Sequence, residues 1–212
     1  MRFEEGAVTF DMTAKATKGR IGVGQIDAGQ IGLGQIGLGQ IDVGRFVLRK
    51  VRQSDLALVA LHAGDRRVAE ATQSIPHPLR PEAAEAIVAR AIAGDAAGDA
   101  AGEVWVMDGA ASGLAAVLGM ITLKRMDRGQ SEVSFWVAPA FWNAGIASDA
   151  VRALVAANPQ ASRTIFAEVF QDNPGSARVL ANAGFQYLGE AETHSLARGA
   201  NVPTWTYIRK LD

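Results

Sequence analysis

The sequence predicts a mixed α/β (α+β) domain, with one central sheet of about six to seven strands and four helices around it. Three observations predict it. Segments in which apolar residues recur every second position are interleaved with segments of 3.6-residue period, in the order strand, two helices, three strands, helix, strand, helix, two strands. The three consecutive strands are joined by connections too short for a crossover, so they form an antiparallel meander. The next strand is reached through a helix and so runs parallel to its predecessor, which makes the sheet mixed.

Residues 1–20 are polar, with nothing to anchor them. Residues 21–45 are five pentads: IGVGQ, IDAGQ, IGLGQ, IGLGQ and IDVGR. An odd period sends successive Ile residues to opposite faces of an extended strand. Two small or turn-forming residues per unit disfavour a helix. Residues 1–44 are therefore expected to be a low-complexity tail, flexible or loosely extended, with an edge strand or a self-association segment as the alternative; the folded domain is expected over 45–212. Its first strand is F-V-L-R-K-V-R. Ser54 is expected to cap a helix carrying Leu56, Val59, Ala60 and Leu61. A stiff loop, Ile75-Pro76-His77-Pro78-Leu79, leads to Pro81 in the first turn of a second helix, striped by Ala84, Ile87, Val88, Ala91 and Ile92. The small-residue stretch 93–102 is a loop. Strands follow at 103–107, 114–124 and 131–137. A helix at 146–157, stopped by Asn158-Pro159, leads to a strand at 164–170. A helix from Pro174 ends at Gly184, and strands at 185–190 and 203–209 complete the chain.

A chain of 212 residues that is 49% hydrophobic buries one sizeable core. A net charge of -1 gives no global reason to expect nucleic acid or an acidic membrane surface as partner. The absence of cysteine excludes disulfides, thiolate metal sites and a cysteine nucleophile. The three histidines, His62, His77 and His194, are scattered, so no metal site is expected. No apolar run approaches the roughly 18 residues of a membrane span. Glu4, Glu5 and Asp11 with no apolar core segment are unlike a secretory signal, so the expected location is cytoplasmic.

The stretch Ser131–Ala156 reads as strand, turn and helix. Glu132, Ser134 and Trp136 share one strand face, and Val133, Phe135 and Val137 the other. After Trp142-Asn143-Ala144-Gly145-Ile146-Ala147 the period changes, and Ile146, Ala150, Val151, Leu154 and Val155 mark a helix face. A small-residue turn that opens a helix leaves backbone N–H groups free for an anion, most often phosphate. W-N-A-G-I-A resembles the acyl-CoA-binding motif of the GNAT N-acetyltransferase superfamily, a Gln or Arg, two residues, Gly, one residue, then Gly or Ala. Trp142 stands in the Gln/Arg place; Gly145 and Ala147 match. The segment N-P-G-S-A-R-V-L-A-N-A-G-F, Asn173 to Phe185, is similar to a second signature of that family. The loop at Ile75–Pro78 resembles the branch that acetylates the N-terminal amine of ribosomal proteins. The resemblance covers about residues 45–211.

This resemblance implies a sheet splayed between its fourth and fifth strands, those of Trp136 and Phe170. Acetyl-CoA would be the co-substrate. Its pantetheine arm would extend the sheet at Trp136 and Val137, and its pyrophosphate would sit on Asn143, Ala144, Gly145, Ile146 and Ala147. Asn173 and Ser176 would face it from the other side. Direct acyl transfer to an amine requires a neutral amine, a stabilised oxyanion and a proton for the departing thiolate. Glu132, aligned with the groove, is the first candidate for the base, and Glu168 on the neighbouring strand is its rival. Ser176 is the candidate acid; its alternative role, like that of Asn173, is helix capping. His77, Trp136 and Glu168 are candidates for the acceptor site. The expected acceptor is a protein or peptide N-terminal amine. A small amine, such as an antibiotic, polyamine or amino acid, is the alternative, and an acyl-CoA-binding module without turnover is a third reading. The chain is expected to be a monomer or homodimer.

Overall fold

The computed structural model describes residues 39–94 and 102–211. The tail, the first three pentads, three residues of the fourth and most of the 93–102 loop lie outside the described residues. The elements are β1 (Ile41–Asp42), β2 (Val47–Lys50), α1 (Leu56–Ala63), α2 (Arg66–Glu70), α3 (Pro81–Ala93), β3 (Glu103–Asp108), β4 (Gly119–Met126), β5 (Gln130–Val137), α4 (Ile146–Ala157), β6 (Thr164–Phe170), α5 (Pro174–Asn182), β7 (Gln186–Ser195) and β8 (Ala200–Lys210). They build one sheet in the order β1-β2-β3-β4-β5-β6-β8-β7.

Every neighbouring pair in the sheet is antiparallel except β5 and β6. These two pair only at Gln130–Thr164, Ser131–Ile165 and Glu132–Phe166. Past Glu132 the strands separate into a V. Buried polar groups pin its apex: the Ser131 hydroxyl lies 2.7 Å from Gln160 Oε1 and 2.5 Å from Ser162 Oγ. Gln160 Nε2 in turn donates to the Leu123 carbonyl at 2.9 Å.

Strand alternation divides the core between the two faces of the sheet. On one, Leu48, Trp105, Ile121, Val133, Val137, Ile165 and Ala167 pack against Ile146, Val151 and Leu154 of α4 and Leu180 of α5. On the other, Val104, Val106 and Met120 pack against Val59 and Ala63 of α1, Val68 of α2 and Val88 of α3. Each fully buried side chain of this kind contributes about 1.5–3 kcal/mol, so both helical layers are held firmly to the arms of the V.

Local chemistry shifts several boundaries. Ser54 is not the cap expected of it. It lies in a 3-10 turn, Gln53–Asp55, and the Asp55 carboxylate accepts from the Arg52 N–H at 2.8 Å instead. Asp55 also receives both terminal nitrogens of Arg49, at 2.8 and 2.9 Å, and Arg49 Nε donates to Asp108 at 2.5 Å. The first helix is broken after Ala63, and Asp65 caps α2 by accepting from the Arg67 N–H at 2.9 Å. Leu61 is accordingly exposed. β4 starts at Gly119 rather than at 114, because Gly113 turns left-handed and Leu114 faces solvent. The fifth pentad supplies β1, so the sheet begins at Ile41, ahead of Arg45. With β1 the sheet has eight strands among the described residues.

Candidate active site

Because the β5–β6 ladder stops at Glu132, the edge of β5 from Val133 to Val137 faces a cleft instead of a neighbouring strand. Two cavities meet there. One, of about 580 Å³, lies toward the start of α4 and is lined by Val137, Trp142, Asn143, Gly145, Ile146 and Ala147. The other, of about 380 Å³, holds Glu132, Ser134, Lys124, Glu168 and Arg90. Phe135, Trp136, Asn173 and Ser176 line both. The two cavities therefore adjoin within the V as one passage, with Trp136 and Ser176 in the wall common to both.

The larger cavity ends at the N-terminus of α4. Gly145 caps that helix at φ 76° and Asn143 stands at φ 59°, a conformation Asn tolerates better than most residues. The first helical N–H to find a backbone partner is that of Asp149, which donates to the Gly145 carbonyl at 3.0 Å. The preceding N–H groups are left to a ligand, and the helix dipole favours an anion there. Arg67 and Arg178 line the same cavity. This donor set, with the open β5 edge, fits an elongated ligand that carries amides at one end and phosphates at the other.

Trp142 lies against this edge. Its indole N–H donates to the Val137 carbonyl at 2.6 Å, and the Arg67 guanidinium lies 5.5 Å from its ring centre. Arg67 is steadied by Asp65 at 2.7 and 3.0 Å, which pulls that exposed carboxyl down to about 2.

In the smaller cavity Glu132 and Glu168 share a face, since Glu168 lies two residues beyond Phe166, the partner of Glu132. Burial, and then the charge of Glu168, push the Glu132 carboxyl above the ordinary carboxylate range, against an opposing effect of Lys124. Lys124 stands directly across β4 from it. Glu168 is held by the Gln73 amide, which donates at 3.0 Å.

A strap crosses the V. The Leu196 N–H donates to the Gln73 carbonyl at 3.0 Å, and Arg198 Nε to the Glu70 carbonyl at 2.8 Å. Arg198 also pairs with Asp172 at 2.6 Å, which holds that carboxyl below its ordinary value.

Of the residues expected from sequence, Glu132, Trp136, Val137, Asn143, Gly145, Ile146, Ala147, Glu168, Asn173 and Ser176 all line the passage. Asn173 is also the cap of α5, its side chain accepting from the Ser176 N–H at 3.1 Å. Ala144 turns its carbonyl to Arg45 instead, at 2.6 Å. His77 is exposed and is not part of either lining. Gln73, Arg198 and Arg45 carry no local sequence signal, because each acts through partners far away in sequence, and Arg67 gains its place from the distant Trp142 ring although Asp65 beside it steadies it.

A family model described as "Acetyltransferase (GNAT) domain" matches residues 45–186. The chain belongs to the GNAT acetyltransferase family. It is an N-acetyltransferase that uses acetyl-CoA. Solved GNAT structures share its fold. The ribosomal-protein-S5-alanine acetyltransferase from Vibrio fischeri is 18% identical with a TM-score of 0.67, over 82% of this chain and 97% of that one. RimL, the ribosomal L7/L12 alpha-N-protein acetyltransferase in complex with coenzyme A, is 16% identical with a TM-score of 0.69, over 82% and 98%. The spermidine N-acetyltransferase from Vibrio cholerae, in complex with CoA and spermine, is 16% identical with a TM-score of 0.62, over 78% and 95%. No curated protein sequence matches the chain.

Proposed function

We propose that this GNAT enzyme acetylates the N-terminal α-amine of a protein or peptide, which enters the smaller cavity end-on. The observation that carries the reading is the passage itself. A cavity of about 380 Å³ is at the small end of ligand sites, which run from roughly 300 to 1,000 Å³. It has two carboxylates within it and a second cavity adjoining it, so it suits the end of a chain. In this reading the larger cavity is the donor site. Asn143 to Ala147 receive the phosphates, Trp136 and Val137 receive the amide-bearing arm, and Asn173 and Ser176 close the other side. Acetyl-CoA supplies an acetyl group activated as a thioester.

Glu132 takes the proton that the neutral amine loses as its nitrogen attacks the thioester carbon. Its raised affinity for protons brings it nearer the working pH, where a base is most effective. Glu168, fixed by Gln73, attracts the incoming ammonium and keeps it beside Glu132. Ser176 stands in the wall common to both cavities, and its hydroxyl holds a proton for the departing thiolate. Holding both reactants in one passage supplies up to roughly 7–11 kcal/mol of a barrier by positioning alone.

The paired carboxylates also favour a second reading, a small di- or polyamine as acceptor. Thiol release from acetyl-CoA, measured with peptides bearing free Ala, Ser, Thr, Met or Gly N-termini and with spermidine, separates the two. Turnover on a peptide supports the first reading. Turnover on spermidine alone replaces it with the second.

A further inference from the structure

Four of the five pentads end in Gln, and the fifth ends in Arg45. The structure places that residue in the β1–β2 hairpin. The four-residue connection Val43–Phe46 is shaped by the Asp42 carboxylate, which accepts from the Gly44 N–H at 2.7 Å, and by the Val43 N–H donating to the Phe46 carbonyl at 3.0 Å. Val43 packs onto the core cluster that includes α4, so the hairpin is seated on that side of the sheet. Arg45 reaches from it to the turn that opens α4. Its Nη2 donates to the Ala144 carbonyl at 2.6 Å, and Nε and Nη2 reach Asp149 Oδ2 at 3.0 and 2.5 Å. A Cβ placed on Gly145 would lie 3.1 Å from the same Nη2.

We propose that Arg45 is a positioning residue for the phosphate end of the donor site. It does two things there. By binding the Ala144 carbonyl it holds the turn with Asn143 and Gly145 left-handed, so that the free N–H groups of α4 converge. By pairing with Asp149 Oδ2, while Arg152 engages Oδ1, it completes the neutralisation of a carboxylate in the first turn of the helix, where a second anion is to bind. The last pentad is thereby part of the enzyme rather than of the tail. This rests on the placing of phosphate at residues 143–147, and the test keeps the two apart.

The probes are coenzyme A and pantetheine, which lacks the phosphates, each titrated calorimetrically against the full chain. If the wild type binds coenzyme A no more tightly than pantetheine, residues 143–147 do not receive phosphate, and both ideas fall. If it binds coenzyme A more tightly, Arg45→Gln, which restores the Gln of the other pentads, decides the inference alone. We expect coenzyme A affinity to drop about tenfold, the scale of a partly exposed charge-assisted contact at a helix end. Pantetheine affinity stays unchanged. Arg45→Lys keeps the charge without the fork and should lose less. Unchanged coenzyme A affinity in Arg45→Gln overturns the proposal. So does an equal loss for both probes, because a merely structural residue would weaken the whole site. If Arg45→Gln does not fold, Arg45→Lys is read by the same criterion: selective loss of coenzyme A supports the role, and an equal loss or none rejects it.

Discussion

Replacing Glu132 by Gln removes the charge and keeps the shape, and it separates two kinds of contribution. An α-amine of pKa about 8 is about one-tenth neutral at pH 7 and about nine-tenths neutral at pH 9. If Glu132 did no more than favour the neutral amine before attack, its loss would cost at most about tenfold at pH 7. A base that takes the proton during attack is worth roughly 10²–10⁴-fold. The Glu132 side chain is half-buried beside Glu168 and holds its proton above the ordinary carboxylate range, which suits the second role. We therefore expect Glu132→Gln to lose roughly 100-fold or more in kcat/KM at pH 7. Between pH 7 and 9 the variant should regain about tenfold, as neutral amine is supplied by the solution. Stability should move the other way. A carboxyl whose proton is bound more tightly in the folded protein costs stability as pH rises through its folded pKa. The variant should therefore melt above the wild type at neutral pH and alongside it below the ordinary carboxylate range. The assay is thiol release across pH 6–9, paired with thermal melts. A loss of less than tenfold at pH 7 would refute the base assignment, and a larger loss in Glu168→Gln would transfer it to the neighbouring strand.

Three further outcomes are expected. Arg49→Met leaves Asp55 and Asp108 without their shared partner at a position only 4% exposed, so unfolding in denaturant should show a loss of roughly 3–5 kcal/mol. Burial pushes Asp55 up, but hydrogen bonds from Arg49 and the Arg52 N–H outweigh it and hold the carboxyl below its ordinary value. That contribution is present above the unfolded pKa of about 3.9 and lost as pH falls through the lower folded value, so the wild-type advantage should shrink on acidification. Asn173→Ala removes the cap of α5 and should cost about 1 kcal/mol, seen as a melting point lower by about 2–4 °C. Gln73→Leu frees Glu168 and should raise the acceptor KM several-fold while leaving the acetyl-CoA KM unchanged; equal changes in both would count against a role in the acceptor cavity.

The parts of this molecule legible in its sequence are those set by local chemistry. The alternation in S-E-V-S-F-W-V places Glu132 and Trp136 on the cleft side of β5, and the small-residue turn before Ile146 marks the start of α4 to the residue. Pro174 after Asn173 marks the start of α5 in the same way. Long-range geometry stays hidden. Ser54 looks like a cap, yet it is the Asp55 carboxylate that binds backbone there, at the Arg52 N–H, held in place by Arg49 from the neighbouring strand. Nothing in A-T-Q-S-I tells that Gln73 meets Glu168, a residue 95 positions away. His77 between two prolines looks poised for a ligand, but the loop carries it out to solvent. A pentad that repeats its neighbours gives no sign that its final Arg is engaged by α4.

The V is fastened at both ends. Ser131, Gln160 and Ser162 bind its arms at the apex. Across the opening, Leu196 and Arg198 of the β7–β8 turn grip the chain at Glu70 and Gln73, beside the helical layer seated on the opposite arm. A wedge joined at one end can hinge; one joined at both is a rigid window frame. Such a frame would set its aperture when the chain folds, and guests would slide in lengthwise through its two sides. Donor and acceptor would then approach from opposite doors, and neither would have to leave before the other arrives.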